Sequence, residues 1–106
     1  MSSPKATPGK DARRRRMLDE AWLGDAVLAL WARRLILREQ GTLDADRFSR
    51  MSSNQFLASL GDPAEVEAQI GRIYEDQGLD AAFAWLEAKV LPLHLKQEAK
   101  RNRNVK

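Results

Sequence analysis

Asp25 is the first residue in this chain placed to do chemistry. It is the only charged side chain between Glu20 and Arg33, inside an apolar run from about residue 18 to residue 37. A carboxylate set among packing residues is costly to bury unless it is paired or holds a metal. Asp25 therefore reads either as a group on the helix surface or as the centre of a site. Other reactive groups are few. The 106 residues include no cysteine and a single histidine, His94. That count argues against disulfides, thiolate metal sites, His-rich zinc sites and Ser-His-Asp chemistry.

Carboxylates and cations remain. Arg13, Arg14, Arg15 and Arg16 are consecutive, and Lys100, Arg101 and Arg103 fall in a basic C-terminal stretch. Each cluster has two readings: a solvated, solubilising surface, or a set of contacts to RNA phosphates. Net charge is +3, a mild bias towards nucleic acid or another polyanion.

Helices are the elements that must position these groups. No strand alternation, internal repeat or Gly-rich phosphate loop is present. The length suits one domain that buries roughly two-thirds of its unfolded surface. Residues 1–12 read as a disordered basic tail, 13–95 as the helical domain and 96–106 as a basic C-terminal tail. The first helix is expected from Asp11 or Arg14 to Glu39, stopping at Gly41. Its apolar residues go nearly all the way round, so it should be central. That is more apolar surface than one small core needs, and a second copy of the chain is expected to cover part of it. Trp22 and Trp31 are the expected dimer anchors.

A short helix should follow from Asp44 to Met51, then another over 54–60 opened by a Ser52/Gln55 capping box. Asp62-Pro63-Ala64-Glu65 is a helix start with Asp62 at N-cap and Glu65 at N3, so both acids have structural work. That helix ends at Gly78. Glu67 lies at the edge of its apolar stripe and alone reads as a surface glutamate. A last full helix is expected from Asp80 to Val90, broken by Pro92. No stretch of ~18 uncharged apolar residues exists, and the N-terminus lacks the apolar core of a secretory signal. A cytoplasmic protein with no membrane partner is expected.

Three segments, in order, carry a resemblance. Residues 22–28, WLGDAVL, resemble the L-G-D-A-V-L signature that follows an aromatic residue in the ribonuclease III superfamily. Residues 48–58, FSRMSSNQFLA, are similar to that family's helix with L-V-S-N-x-x-L-A. Residues 67–82, EAQIGRIYEDQGLDAA, are similar to its second conserved helix, E-A-L-I-G-A-I-Y-L-D-x-G, followed by paired alanines. The resemblance covers about residues 18 to 92. It implies an all-α, compact ribonuclease III-like domain that dimerises through its central helices.

It also implies a function: metal-dependent endoribonuclease action on double-stranded or structured RNA, ribosomal RNA among the candidates. Asp25 and Glu67 would be the catalytic and metal-holding pair, with Mg²⁺ as cofactor and Mn²⁺ as a substitute. The chain departs from the family at Ala21 and Ala64, where ribonuclease III carries two further acids, and in the short link at Gly61-Asp62. The compact mini-ribonuclease III branch is similar in the two acids retained. The alternative is a relative without catalysis that serves as an RNA-binding or ribosome-associated scaffold.

Overall fold

The computed structural model describes residues 8–104. The outermost parts of both expected tails, 1–7 and 105–106, lie outside the described residues. The described residues form six helices and no strand: α1 (Pro8–Gln40), α2 (Ala45–Ser52), α3 (Asn54–Leu57), α4 (Pro63–Gln77), α5 (Leu79–Lys89) and α6 (Leu91–Asn104). The fold is all-helical, as the pattern predicts.

α1 is the axis. Its 33 residues span about 50 Å at 1.5 Å per residue, and the molecule measures 63 Å along its longest dimension. The helix begins three residues before Asp11, with Pro8 at its start, where the missing proline N–H is no loss. It stops as expected: Gly41 takes φ +78° and its N–H donates to the Leu37 carbonyl at 2.8 Å. Along α1, Val27, Leu28, Trp31, Ala32, Leu35 and Ile36 join the core. Leu18, Trp22, Leu30 and Leu37 remain exposed, so in the single chain α1 is one wall of the core and is not enclosed.

Local chemistry sets the later boundaries. The Asp44 carboxylate caps α2 by accepting from the Arg47 N–H at 2.9 Å. The cap of α3 is Ser53, whose Oγ accepts from the Phe56 N–H at 3.1 Å. The expected Ser52/Gln55 box does not form, because the Ser52 hydroxyl donates back to the Phe48 carbonyl at 2.8 Å. A serine placed that way finishes a helix. α3 is also shorter than expected, closing at Leu57. Asp62 caps α4 as predicted, accepting from the Glu65 N–H at 3.1 Å. Gly78, at φ +98°, separates α4 from α5.

The C-terminal expectation needs correcting. Pro92 ends nothing. It stands in the first turn of α6, where proline's fixed φ suits a helix start. The expected tail from residue 96 is helical through Asn104. It is tied to α2 by Arg50, whose Nε and Nη2 donate to the two oxygens of Glu98 at 2.8 and 3.0 Å. His94, set aside in the sequence as a lone histidine, is fully buried against that same helix.

Candidate functional site

The site begins with two glycines that have no side chain to keep helices apart. A Cβ at Gly24 would run into the Glu67 carbonyl and stand 2.9 Å from the Gly71 nitrogen. A Cβ at Gly71 would run into the Glu20 carbonyl and stand 3.1 Å from the Gly24 nitrogen. Backbone thus touches backbone where α1 crosses α4, and the two helices run in opposite directions. Closest approach of this kind is open only to glycine. A helical glycine costs up to about 1 kcal/mol against alanine, and the close packing offsets it.

Asp25 follows Gly24, and Glu67 supplies the carbonyl that Gly24 touches. The crossing therefore brings these two acids close enough for each carboxyl group to feel the other. Their environments differ. Glu67 is half-buried, whereas Asp25 is exposed. Of the two readings of Asp25, its position is that of a group on the helix surface: Gly24 turns to α4, and Asp25, about 100° further round, turns to solvent. The desolvation falls on Glu67. Burial first, then the neighbouring Asp25 carboxyl, push the Glu67 carboxyl from its ordinary 4.5 up to about 7. The Glu67 carboxyl therefore keeps its proton to far higher pH than an ordinary glutamate does.

Other groups flank the pair without joining it. Glu20, one turn before Gly24, is held by Arg72, whose Nη1 donates to its carboxylate at 2.9 Å. Ala21 and Ala64 leave no further acid at the positions raised by the resemblance. Among the described residues no group of three or more metal-capable side chains gathers. A cavity of about 280 Å³ lies beside Arg72, lined also by Met17, Glu65, Ala68 and Gln69.

The remaining expected site residues are spread out. Arg13, Arg14, Arg15 and Arg16 are exposed on α1, beyond its first turn, where the positive end of the helix dipole no longer opposes them strongly. Four consecutive helical residues point round roughly 300° of the circumference, so they cannot all meet one ligand surface. Lys100, Arg101 and Arg103 are exposed towards the end of α6. α6 docks on α2 near the Glu39 end of α1, so the two basic clusters are not brought together. Along α1 they are separated by roughly 35 Å. The expected dimer anchors part company. Trp22 is 78% exposed, whereas Trp31 is 2% exposed and packs in the core of its own chain. Trp31 is thus unavailable as a surface anchor.

Two functional-looking residues escaped the sequence reading. Arg47 and His94 are buried together, and only their burial reveals them, since 47 residues separate them. Comparison with known proteins adds nothing to the site: no family model, curated protein or solved structure matches the chain.

Proposed function

We propose that Asp25 and Glu67 form the cation-holding centre of an endoribonuclease acting on double-stranded or structured RNA. The observation that carries this reading is the carboxyl pair itself, held at a backbone-to-backbone helix crossing with one member protonated near neutrality. Two adjacent acids that cannot both ionise freely are poised to exchange a proton for a cation. The donor set suits Mg²⁺, which favours oxygen ligands, keeps several waters and commonly takes one or two protein carboxylates beside substrate phosphate. Mn²⁺ fits the same oxygens. Once bound, such an ion would polarise the scissile phosphate and lower the pKa of an attacking water.

The protein's own part is positional. Gly24 and Gly71 fix the spacing of the carboxyl groups. Exposed Asp25 faces incoming RNA, and half-buried Glu67 surrenders its proton as the cation arrives. The arginines of α1 and the cations of α6 would hold phosphates at either end of the molecule, by shape and charge more than by sequence. A second copy of the chain would cover Trp22, Leu18, Leu30 and Leu37 on α1, since large exposed apolar patches mark association surfaces.

The test is incubation of the purified chain with long duplex RNA in Mg²⁺ and in EDTA. The expected outcome is cleavage in Mg²⁺ alone, lost in Asp25→Asn with RNA affinity retained. A second reading, a non-catalytic RNA-binding relative, is favoured by the exposure of Asp25, whose retention then costs the fold little. Under it the RNA is bound, equally by parent and Asp25→Asn, and never cut.

A further inference from the structure

Arg47 and His94 are the buried polar side chains among the described residues, at 8% and 0% exposure. Arg47 lies on α2 and donates from each of its three guanidinium nitrogens. Its Nη2 donates to Glu39 at 2.8 Å, its Nη1 to Gln40 at 3.0 Å and its Nε to the His94 Nε2 at 3.1 Å. Nε2 accepts, so the ring proton of neutral His94 sits on Nδ1, which is buried and has no partner. The ring edge also packs against Phe56 of α3, with centroids 6.4 Å apart. A proton added at Nε2 removes the only acceptor Arg47 has on α6 and sets two buried cations side by side.

We propose that His94 is an acid-sensitive latch, holding α6 on α2 while neutral and releasing α6 from its His94 turn onward when protonated. The charged groups around it are Arg47 and Arg50 on α2, Glu39 on α1 and Glu98 on α6. Burial first, then the Arg47 guanidinium, keep the imidazole below its ordinary 6.5, while Glu98 and Glu39 oppose this without reversing it. The sign follows. The released state takes up a proton near 6.5, and the docked state resists it until lower pH. Docking is therefore at full strength above 6.5 and weakens as pH falls towards the docked value. Beyond His94 the side-chain ties from α6 to α2 are the Arg50–Glu98 pair and a 3.5 Å contact from Gln97 to the Arg50 carbonyl. The Arg50 guanidinium keeps the Glu98 carboxyl below its ordinary range, so this pair persists, but a part-exposed ion pair holds little by itself. Release would free Lys96, Lys100, Arg101 and Arg103 from their fixed place on the body, which makes the latch a control on where those cations are presented.

Nuclear magnetic resonance of the full chain between pH 8 and 5 tests this. The His94 ring signals should titrate with a midpoint below 6.5. Amide-exchange protection of α6 after residue 94, corrected for the intrinsic rate, should fall about tenfold for each pH unit from 6.5 down to that midpoint. Protection in α1 and α4 should hold. His94→Gln keeps an acceptor for Arg47 without a titrating ring and should make α6 protection independent of pH. A His94 midpoint at or above 6.5 overturns the proposal. So does α6 protection that ignores the titration, or that falls in step with α1 and α4. If His94→Gln fails to fold, the titration and exchange of the parent chain decide alone.

Discussion

Glu67 carries the strain of the carboxyl pair, and its chemistry sets a pH signature. Its folded pKa is raised to about 7, against an ordinary 4.5. The folded chain therefore holds a proton that the unfolded chain has released, and the stability this lends is full below about 4.5. It is lost as pH rises to about 7. Glu67→Gln removes the dependence. The variant should be more stable than the parent at pH 8, by on the order of 1–2 kcal/mol after allowing for solvent access. Thermal melting at pH 5 and pH 8 checks this: the stabilisation should vanish at the lower pH. If the pair holds a cation, a second consequence follows. Proton and cation compete, so Mg²⁺ affinity of the parent, read by calorimetry, should rise between pH 6 and pH 8. Little of this was legible in the sequence. Asp25 stood out by its isolation among apolar residues, yet it is Glu67 that is half-buried, because Gly24 and not Asp25 faces α4.

At the scale of elements, what was legible is what is local. The cap at Asp62, the helix start at Asp44 and the stops at Gly41 and Gly78 depend on groups within four residues, and the structure has all four, with Asp44 as the cap and not the first helical residue. Ser52 and Ser53 show the limit: two adjacent serines offer the same chemistry, and the turn that ends α2 settles which one caps. The glycine crossing was out of reach, since a helical glycine in a sequence signals only a cost until its partner helix is known. Gly24→Ala and Gly41→Ala should separate these effects. Alanine at Gly24 meets the Glu67 backbone, which cannot yield, and should cost about 3 kcal/mol or more. Alanine at Gly41 meets nothing within 4 Å but inherits φ +78°, and should cost about 1–2 kcal/mol. Urea denaturation ranks them, and the reverse order would mean that α1 and α4 can part without penalty. Asp62→Ala should cost about 1 kcal/mol through the lost cap and leave the pH signature of Glu67 untouched.

For the molecule as a whole, the sequence showed that α1 has more apolar surface than one small core uses, but not which residues would be left over. The split between buried Trp31 and exposed Trp22 is decided by α2, α4 and α5 packing on one side of α1. Trp22→Ala should therefore leave monomer stability nearly unchanged and, if two copies pair as proposed, should lower self-association. Sedimentation across micromolar concentrations distinguishes this from a monomeric parent, which would count against a paired state. Trp31→Ala should instead cost about 3–5 kcal/mol as a core truncation.

The contact between Glu20 and Arg72 joins residues 52 positions apart. That separation is also an interval of time. At about 5–20 residues per second of synthesis, roughly 3–10 seconds pass between the emergence of one partner and the other. Throughout that interval the first half of the chain can form α1 but has only α2 and α3, with Met51, Phe56 and Leu57, to lay against Leu28, Trp31 and Leu35. A nascent chain stalled before α4 would present the longest described helix of the protein with its α4-facing side bare, and such a helix is a ready target for chaperones or for the same helix on a neighbouring nascent chain. The glycines that permit so close a crossing thus tie the safety of the early chain to the arrival of its second half.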